Sequence, residues 1–208
     1  MPETDVGLLG SDARPAAPPF RDGVAANARL TGALAAALLV LLAAEGVTIP
    51  FIGQLLGPHI FIGVLLIPPV ALKMASTGYR FARYYAHDGS YVAKGPPPIA
   101  LRVLAPGVVL TTLALFGTGI ALLISGPPSN TLIFAHKLSF IAWVALMTLH
   151  VLGHLLEVPR LAMADWRRAG SSEARLAGAW ARTLALTTAI GAGLALAFLT
   201  ASMAQTWL

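Results

Sequence analysis

Five stretches of this chain are largely apolar over 20 or more positions: residues 26–49, 58–83, 99–125, 132–158 and 176–203. About 20 apolar residues in a helix cover the ~30 Å hydrocarbon layer of a bilayer. The pattern therefore predicts an all-α fold, a polytopic membrane helix bundle with five transmembrane helices. Pro68-Pro69 falls near the centre of the second span and Pro106 inside the third. Kinks rather than breaks are expected there, because neighbouring helices can satisfy the freed carbonyls.

Polar residues collect at the ends and between the spans. Residues 1–24 mix Glu3, Asp5 and Asp12 with Arg14, Pro15, Pro18 and Pro19 and show no apolar period. They read as a disordered cytoplasmic tail, followed by a five-helix transmembrane domain over residues 25–208. A mixed-charge tail before a full-length span points to a retained first helix rather than a cleaved signal.

Lys and Arg set the expected orientation. Arg80, Arg83, Lys94 and Arg102 follow or flank the second span, and Arg160, Arg167, Arg168 and Arg175 follow the fourth. The connections 50–57 and 126–131 hold none, nor does the C-terminal tail. The positive-inside rule then places the N-terminus in the cytoplasm and the C-terminus outside, in a multi-pass protein of the cell membrane. Tyr79, Tyr84, Tyr85 and Trp166 fall at the same basic boundary, where amphipathic rings are favoured. The apolar segment 49–57 is too short to span and is expected to lie in the interface or cap the bundle. The stretch 167–182 is charged and partly amphipathic, and reads as a surface helix feeding the fifth span.

Composition agrees: 57% of the 208 residues are hydrophobic and 11% charged, which leaves too little polar surface for a water-soluble body. The net charge of +5 is accounted for by topology, so no nucleic-acid partner is invoked; the bilayer is the partner. Cysteine is absent, which excludes disulfides, iron–sulfur clusters, thiolate zinc and covalently attached haem. No glycine fingerprint for nucleotides, metal-hydrolase helix or nucleophile–base set occurs, so the chain is not expected to catalyse a reaction alone.

Histidines carry the candidate chemistry, since ionisable groups inside a membrane are costly and mark function. His87 lies in a loop beside Asp88 and is given no role. His136 and His150 on the fourth span are 14 residues apart, hence about 40° from alignment and ~21 Å apart along the axis. His154 completes five turns from His136, about 27 Å away on the same face. His59 opens the second span at the depth of His136. Two imidazoles from facing helices are what a flat, apolar haem needs as axial ligands. Gly63, one turn below His59, with Gly117 and Gly119 on the third span, would leave bare surface for a macrocycle or simply allow close packing.

At the inner depth, 14 residues after His59, stands Lys73 with Met74 beside it. Met74 or a neutral Lys73 could pair with His150, but a packing Met and a snorkelling Lys explain them more simply. One haem is expected, with a second left open. His150 and His154, near Glu157, are alternatives for a proton path or a quinone pocket. Glu45 and Lys137 are opposite charges at similar depth and are expected to pair, or Lys137 to meet a haem propionate.

The run His136-Lys137-Leu138-Ser139-Phe140, followed by His150, and the opening Pro58-His59-Ile60-Phe61-Ile62-Gly63 of the second span resemble the membrane-embedded cytochromes b of the formate-dehydrogenase gamma-subunit and bacterial cytochrome b type. The resemblance covers about 100 residues. It implies four core helices, one or two non-covalent haems b, and electron exchange between quinone and a redox partner subunit. It places His59, His136 and His150 at ligand-type positions; the departure is Lys73, where a second histidine would stand. A different class of reading makes the chain a small non-haem transporter or an assembly subunit whose histidines handle protons or pack.

Overall fold

The structure, a computed structural model, describes residues 20–95, 99–127, 130–155 and 179–208. Every element among them is helical: α1 (Phe20–Thr48), α2 (Ile52–Tyr85), α3 (Gly89–Lys94), α4 (Ile99–Ser125), α5 (Asn130–Leu155), α6 (Ala179–Leu199), α7 (Ala201–Ala204) and a closing 3-10 turn, Gln205–Trp207. Five of these, α1, α2, α4, α5 and α6, are long and apolar enough to cross a membrane. The chain is an all-α, multi-pass helical protein, as its hydrophobic pattern requires.

Boundaries differ where local chemistry decides them. α1 starts at Phe20, so residues 20–24, expected in the tail, are helical; residues 1–19 lie outside the described residues. Residues 52–57, expected as an interfacial loop, form the first turns of α2. The interior break of α2 falls at Leu55 (φ −111°, ψ 21°), ahead of Pro58, and not at Pro68-Pro69. A proline crowds the carbonyl four residues earlier and disfavours helical dihedrals just before it. Near the helix end that strain is relieved by unwinding one residue; at Pro69, which is fully buried, unwinding would undo packing. Residues 156–158, the end expected for the fourth span, and most of the stretch 167–182 lie outside the described residues. α6 stops at Thr200 (φ −96°, ψ 1°), short of the expected residue 203.

The helices form two groups. α2 carries α1 on one side and α6 on another, and α4 pairs with α5; α4 also touches α2. Leu34 of α1 and Leu66 of α2 are fully enclosed, and Val64, Leu65 and Ala197 form the small core between α2 and α6. α6 lies directly on the backbone of α2: a Cβ added to Gly193 would collide with the carbonyl of Leu65. Without a hydrophobic drive in lipid, small residues that let backbones approach are what hold such helices together. Between α4 and α5, Trp143 donates its indole N–H to Thr112 Oγ1 at 3.0 Å, and Thr112 donates on to Val108 O at 2.7 Å. Large apolar side chains such as Phe134, Leu138, Ile141 and Leu149 remain exposed along α5, as in a body whose surroundings are acyl chains.

The chain ends at the same end of the bundle as its two short connections. Leu208 packs on Gly57, 3.4 Å from where a Cβ would stand, and Thr206 lies by Gly126. α1, α4 and α6 therefore run toward this end, and α2 and α5 away from it. The opposite end carries Arg80, Arg83 and Arg102 and is called the arginine end below.

Replacing Gly193 with Ala should destabilise the α2–α6 contact by about 1–3 kcal/mol, the usual cost of overpacking. Gly191→Ala, where nothing lies within 4 Å, should be neutral or slightly stabilising. Thermal melts of the two variants in detergent, side by side, check this.

Candidate functional site

Just inside the end opposite the arginines, one histidine comes from each helix group. His59 stands one turn into α2 after the break before Pro58, and His136 stands in the second turn of α5. Their ring centroids are 6.4 Å apart with ring planes at 78°. Yet among the described residues no Cα of α2 comes within 8 Å of a Cα of α5. The two backbones are held apart, and the imidazoles reach toward each other across the gap.

Each ring is fixed from behind by its own helix group. His59 Nδ1 lies 2.8 Å from Glu45 Oε1 and 3.0 Å from Thr48 Oγ1, both on α1. Glu45 and Thr48 are three residues apart and so share a face at the end of α1. Thr48 donates its hydroxyl hydrogen to Glu45 O at 2.5 Å, which leaves only lone pairs for the histidine. His59 Nδ1 must therefore carry the proton and donate it. His136 repeats the arrangement on the other side: its Nδ1 lies 3.0 Å from Thr118 Oγ1 of α4, and Thr118 donates to Ala114 O at 2.7 Å and Leu115 O at 3.0 Å. The hydrogen-bond network assigns the Nδ1–H tautomer to both rings. Nε2 of each is left as a bare lone pair that meets no donor among the described residues.

This is the state in which imidazole binds a metal: neutral, with Nδ1–H held by a carboxylate or hydroxyl that sets the ring's direction. An iron with two imidazole nitrogens at about 2 Å each keeps the ring centres roughly 6 Å apart. The two donors and their spacing would suit a metal held between His59 and His136. Among the described residues no group of three or more His, Cys, Asp or Glu could cage a metal ion.

The remaining expected residues are placed as follows. Gly63 faces Glu45: a Cβ there would stand 3.5 Å from Oε1, so its bare surface seats the carboxylate. Gly119 does lie against a ligand-type ring, with His136 Cε1 3.3 Å from its would-be Cβ, and Gly117 opens on space. Lys137 is exposed, and the Glu45 carboxylate meets the His59 ring instead of Lys137. The other carboxylate oxygen of Glu45 is buried without a hydrogen-bond partner among the described residues. His150 stands half-buried deeper along α5. The side chain of His154, and Glu157, lie outside the described residues. His87 adopts φ 58° in the turn after α2, exposed and far from the site.

Lys73 does not turn toward α5. Its ammonium donates to Thr31 O of α1 at 2.7 Å, and the same patch holds Ser76 Oγ 3.2 Å from Thr31 Oγ1 and Asn27 Nδ2 3.2 Å from Ser76 O. At this depth the polar face of α2 is engaged with α1, which leaves no described imidazole opposite His150.

Thr48 and Thr118 were not distinguished by the sequence as functional. The available signals were weak: Thr48 three residues after an intramembrane Glu, and Thr118 between Gly117 and Gly119. No family model matches this chain, and no curated protein or solved structure matches it.

Nitrogen-15 spectra of the protein should show both rings protonated at Nδ1 and unprotonated at Nε2. Thr118→Val should abolish that preference for His136 alone and leave His59 unchanged; equal tautomer mixtures in the unaltered protein would contradict the assignment.

Proposed function

We propose that the chain is a membrane electron-transfer protein that binds one haem b between the second and fourth spans, α2 and α5, with His59 and His136 as axial ligands. The observation that carries this reading is the pair of bare Nε2 lone pairs, 6.4 Å between ring centres, on helices whose backbones do not touch. An imidazole nitrogen that carries no proton and meets no donor is the atom with which histidine binds a metal. The resemblance of residues 58–63 and 136–140 to membrane cytochromes b supports the same assignment.

A haem b, when bound, supplies reversible one-electron transfer at iron. The chain's own part is to orient the two ligands. Glu45 and Thr48 hold the His59 ring through Nδ1, and Thr118 holds that of His136, so both ligands keep their direction as the iron changes charge. A carboxylate on a ligand's N–H raises its basicity and favours the oxidised metal. Lys137, exposed one residue after His136, would be the cation for a haem propionate.

The Lys73–Thr31 contact argues for a single haem, since the position where a second α2 ligand would stand is committed to α1. His150, in the inner half, would then serve another role than holding a haem. Electrons would pass to quinone or to a separate redox subunit; the chain carries no catalytic constellation of its own. In this reading the arginine end faces the cytoplasm of a cell membrane, following the positive-inside rule.

Protein purified in detergent from haem-replete cells should show a Soret band and a dithionite-reduced α band at one haem per chain. His59→Ala or His136→Ala should remove the bands, and His150→Ala should keep them. A colourless preparation would favour the non-haem reading, in which Glu45 and His59 exchange protons. With haem bound, Lys137→Gln should lower the midpoint potential, because removing a cation disfavours the added electron; redox titration reads this directly.

A further inference from the structure

At the arginine end, between the start of α1 and the corner where α2 turns into α3, lies a cavity of about 180 Å³ lined by Gly23, Tyr79, Arg83, Asp88, Ser90 and Tyr91. It is separate from the histidine site: 24 residues of α2 part Arg83 from His59, about 36 Å along the helix. That distance is roughly the thickness of the hydrocarbon layer, so the cavity sits at headgroup level on the opposite face.

Its walls are built from fixed polar groups. Arg83 Nη2 lies 2.5 Å from Asp88 Oδ2, and its guanidinium packs over the Tyr79 ring at 5.8 Å. Asp88 is held in turn by the N–H of Ser90 at 3.0 Å, where it caps α3. Tyr91 is 7% exposed and meets Tyr79 edge to face at 6.1 Å. Asp88 meets the guanidinium at Nη2, and the Arg83 side chain remains 47% exposed. The hydroxyls of Tyr79, Tyr91 and Ser90 make no hydrogen bond among the described residues. Arg80 is close enough to act on Tyr91 electrostatically. The lining itself pairs one arginine with one aspartate, and Arg80, three residues before Arg83 on the same helix, adds a second cation beside it; the cavity offers a planar donor edge and hydroxyls that could donate to a group of acceptor oxygens.

We propose that this cavity takes the phosphate of an anionic membrane lipid. A guanidinium held flat by an aromatic ring and a carboxylate is preorganised to bind phosphate through its remaining nitrogens. The source is lipid and not soluble phosphate because of depth. Tyr79, Phe81 and Tyr85 stand half-exposed around the same level, where rings of this kind meet headgroups, and the spans below offer apolar faces to acyl chains. Basic pockets between helices at this boundary have the charge and position for such headgroups. The assignment does not depend on the haem reading, since no residue of the cavity touches His59 or His136.

The test is native mass spectrometry of the full chain in detergent, titrated with phosphatidylglycerol, with phosphatidylcholine of the same acyl chains, and with inorganic phosphate. Phosphatidylglycerol should be retained about tenfold better than phosphatidylcholine, the effect of one charge-assisted contact. Arg83→Gln should erase that preference. Tyr91→Phe, which keeps the ring contact with Tyr79, should weaken it a few-fold with an unchanged melting temperature, and decides the matter if Arg83→Gln does not fold. Equal retention of the two lipids, or a preference untouched by the variants that fold, would overturn the proposal. So would Arg83-dependent binding of inorganic phosphate without discrimination between lipids, which would make the cavity a site for a soluble anion.

Discussion

Inside a bilayer a histidine must place every polar atom, because no water is there to take what the protein leaves over. His59 and His136 meet this constraint asymmetrically. Each gives its Nδ1 hydrogen to a threonine hydroxyl that is already committed as a donor to its own helix, and His59 gives it to Glu45 as well. Both rings are thereby locked in one tautomer and one direction. What remains on each ring is an Nε2 that meets no donor among the described residues, and the rest of the arrangement follows from where those two rings are carried.

They are carried by different helix groups. α1 positions His59 and α4 positions His136, while the groups meet through α2 against α4 and through the C-terminal turns that fold back over both. The spacing of the rings is thus a property of how the two groups dock, not of either helix. This explains why α2 and α5 can present facing side chains without backbone contact, and why glycines matter in opposite ways. Gly193 lets α6 seat on the Leu65 carbonyl and fixes one group internally, whereas Gly119 leaves room for the His136 ring.

The two ends of the bundle are chemically distinct. One end concentrates acid, threonine and histidine around a shared gap. Halfway along, Lys73, Thr31, Ser76 and Asn27 form a polar seam that binds α1 to α2. At the far end α2 runs on to a total of 34 residues, about 51 Å, well beyond the hydrocarbon layer, and its last turns carry arginines and tyrosines into the headgroup region. The corner made with α3 there encloses a second polar site that has no connection to the first.

Much of this was legible in the order of residues. Five apolar runs sufficed for the class of fold, because only helices satisfy their own backbone in lipid, and the spacing of His136 and His150 on one helix followed from 3.6 residues per turn. The depth match of His59 and His136 came from the same arithmetic. Partner choice was not legible. Depth alone paired Glu45 with Lys137 and left Lys73 open as a ligand beside His150, since axial depth says nothing about rotation around the helix or about which helix lies alongside. Thr48 and Thr118 were invisible for a related reason: a threonine in a helix usually bonds back to its own carbonyls, and only a neighbouring ring turns that hydroxyl into an acceptor. Depth and periodicity are one-dimensional quantities written along the chain, whereas which atoms meet depends on docking angles that arise only when whole helices pack.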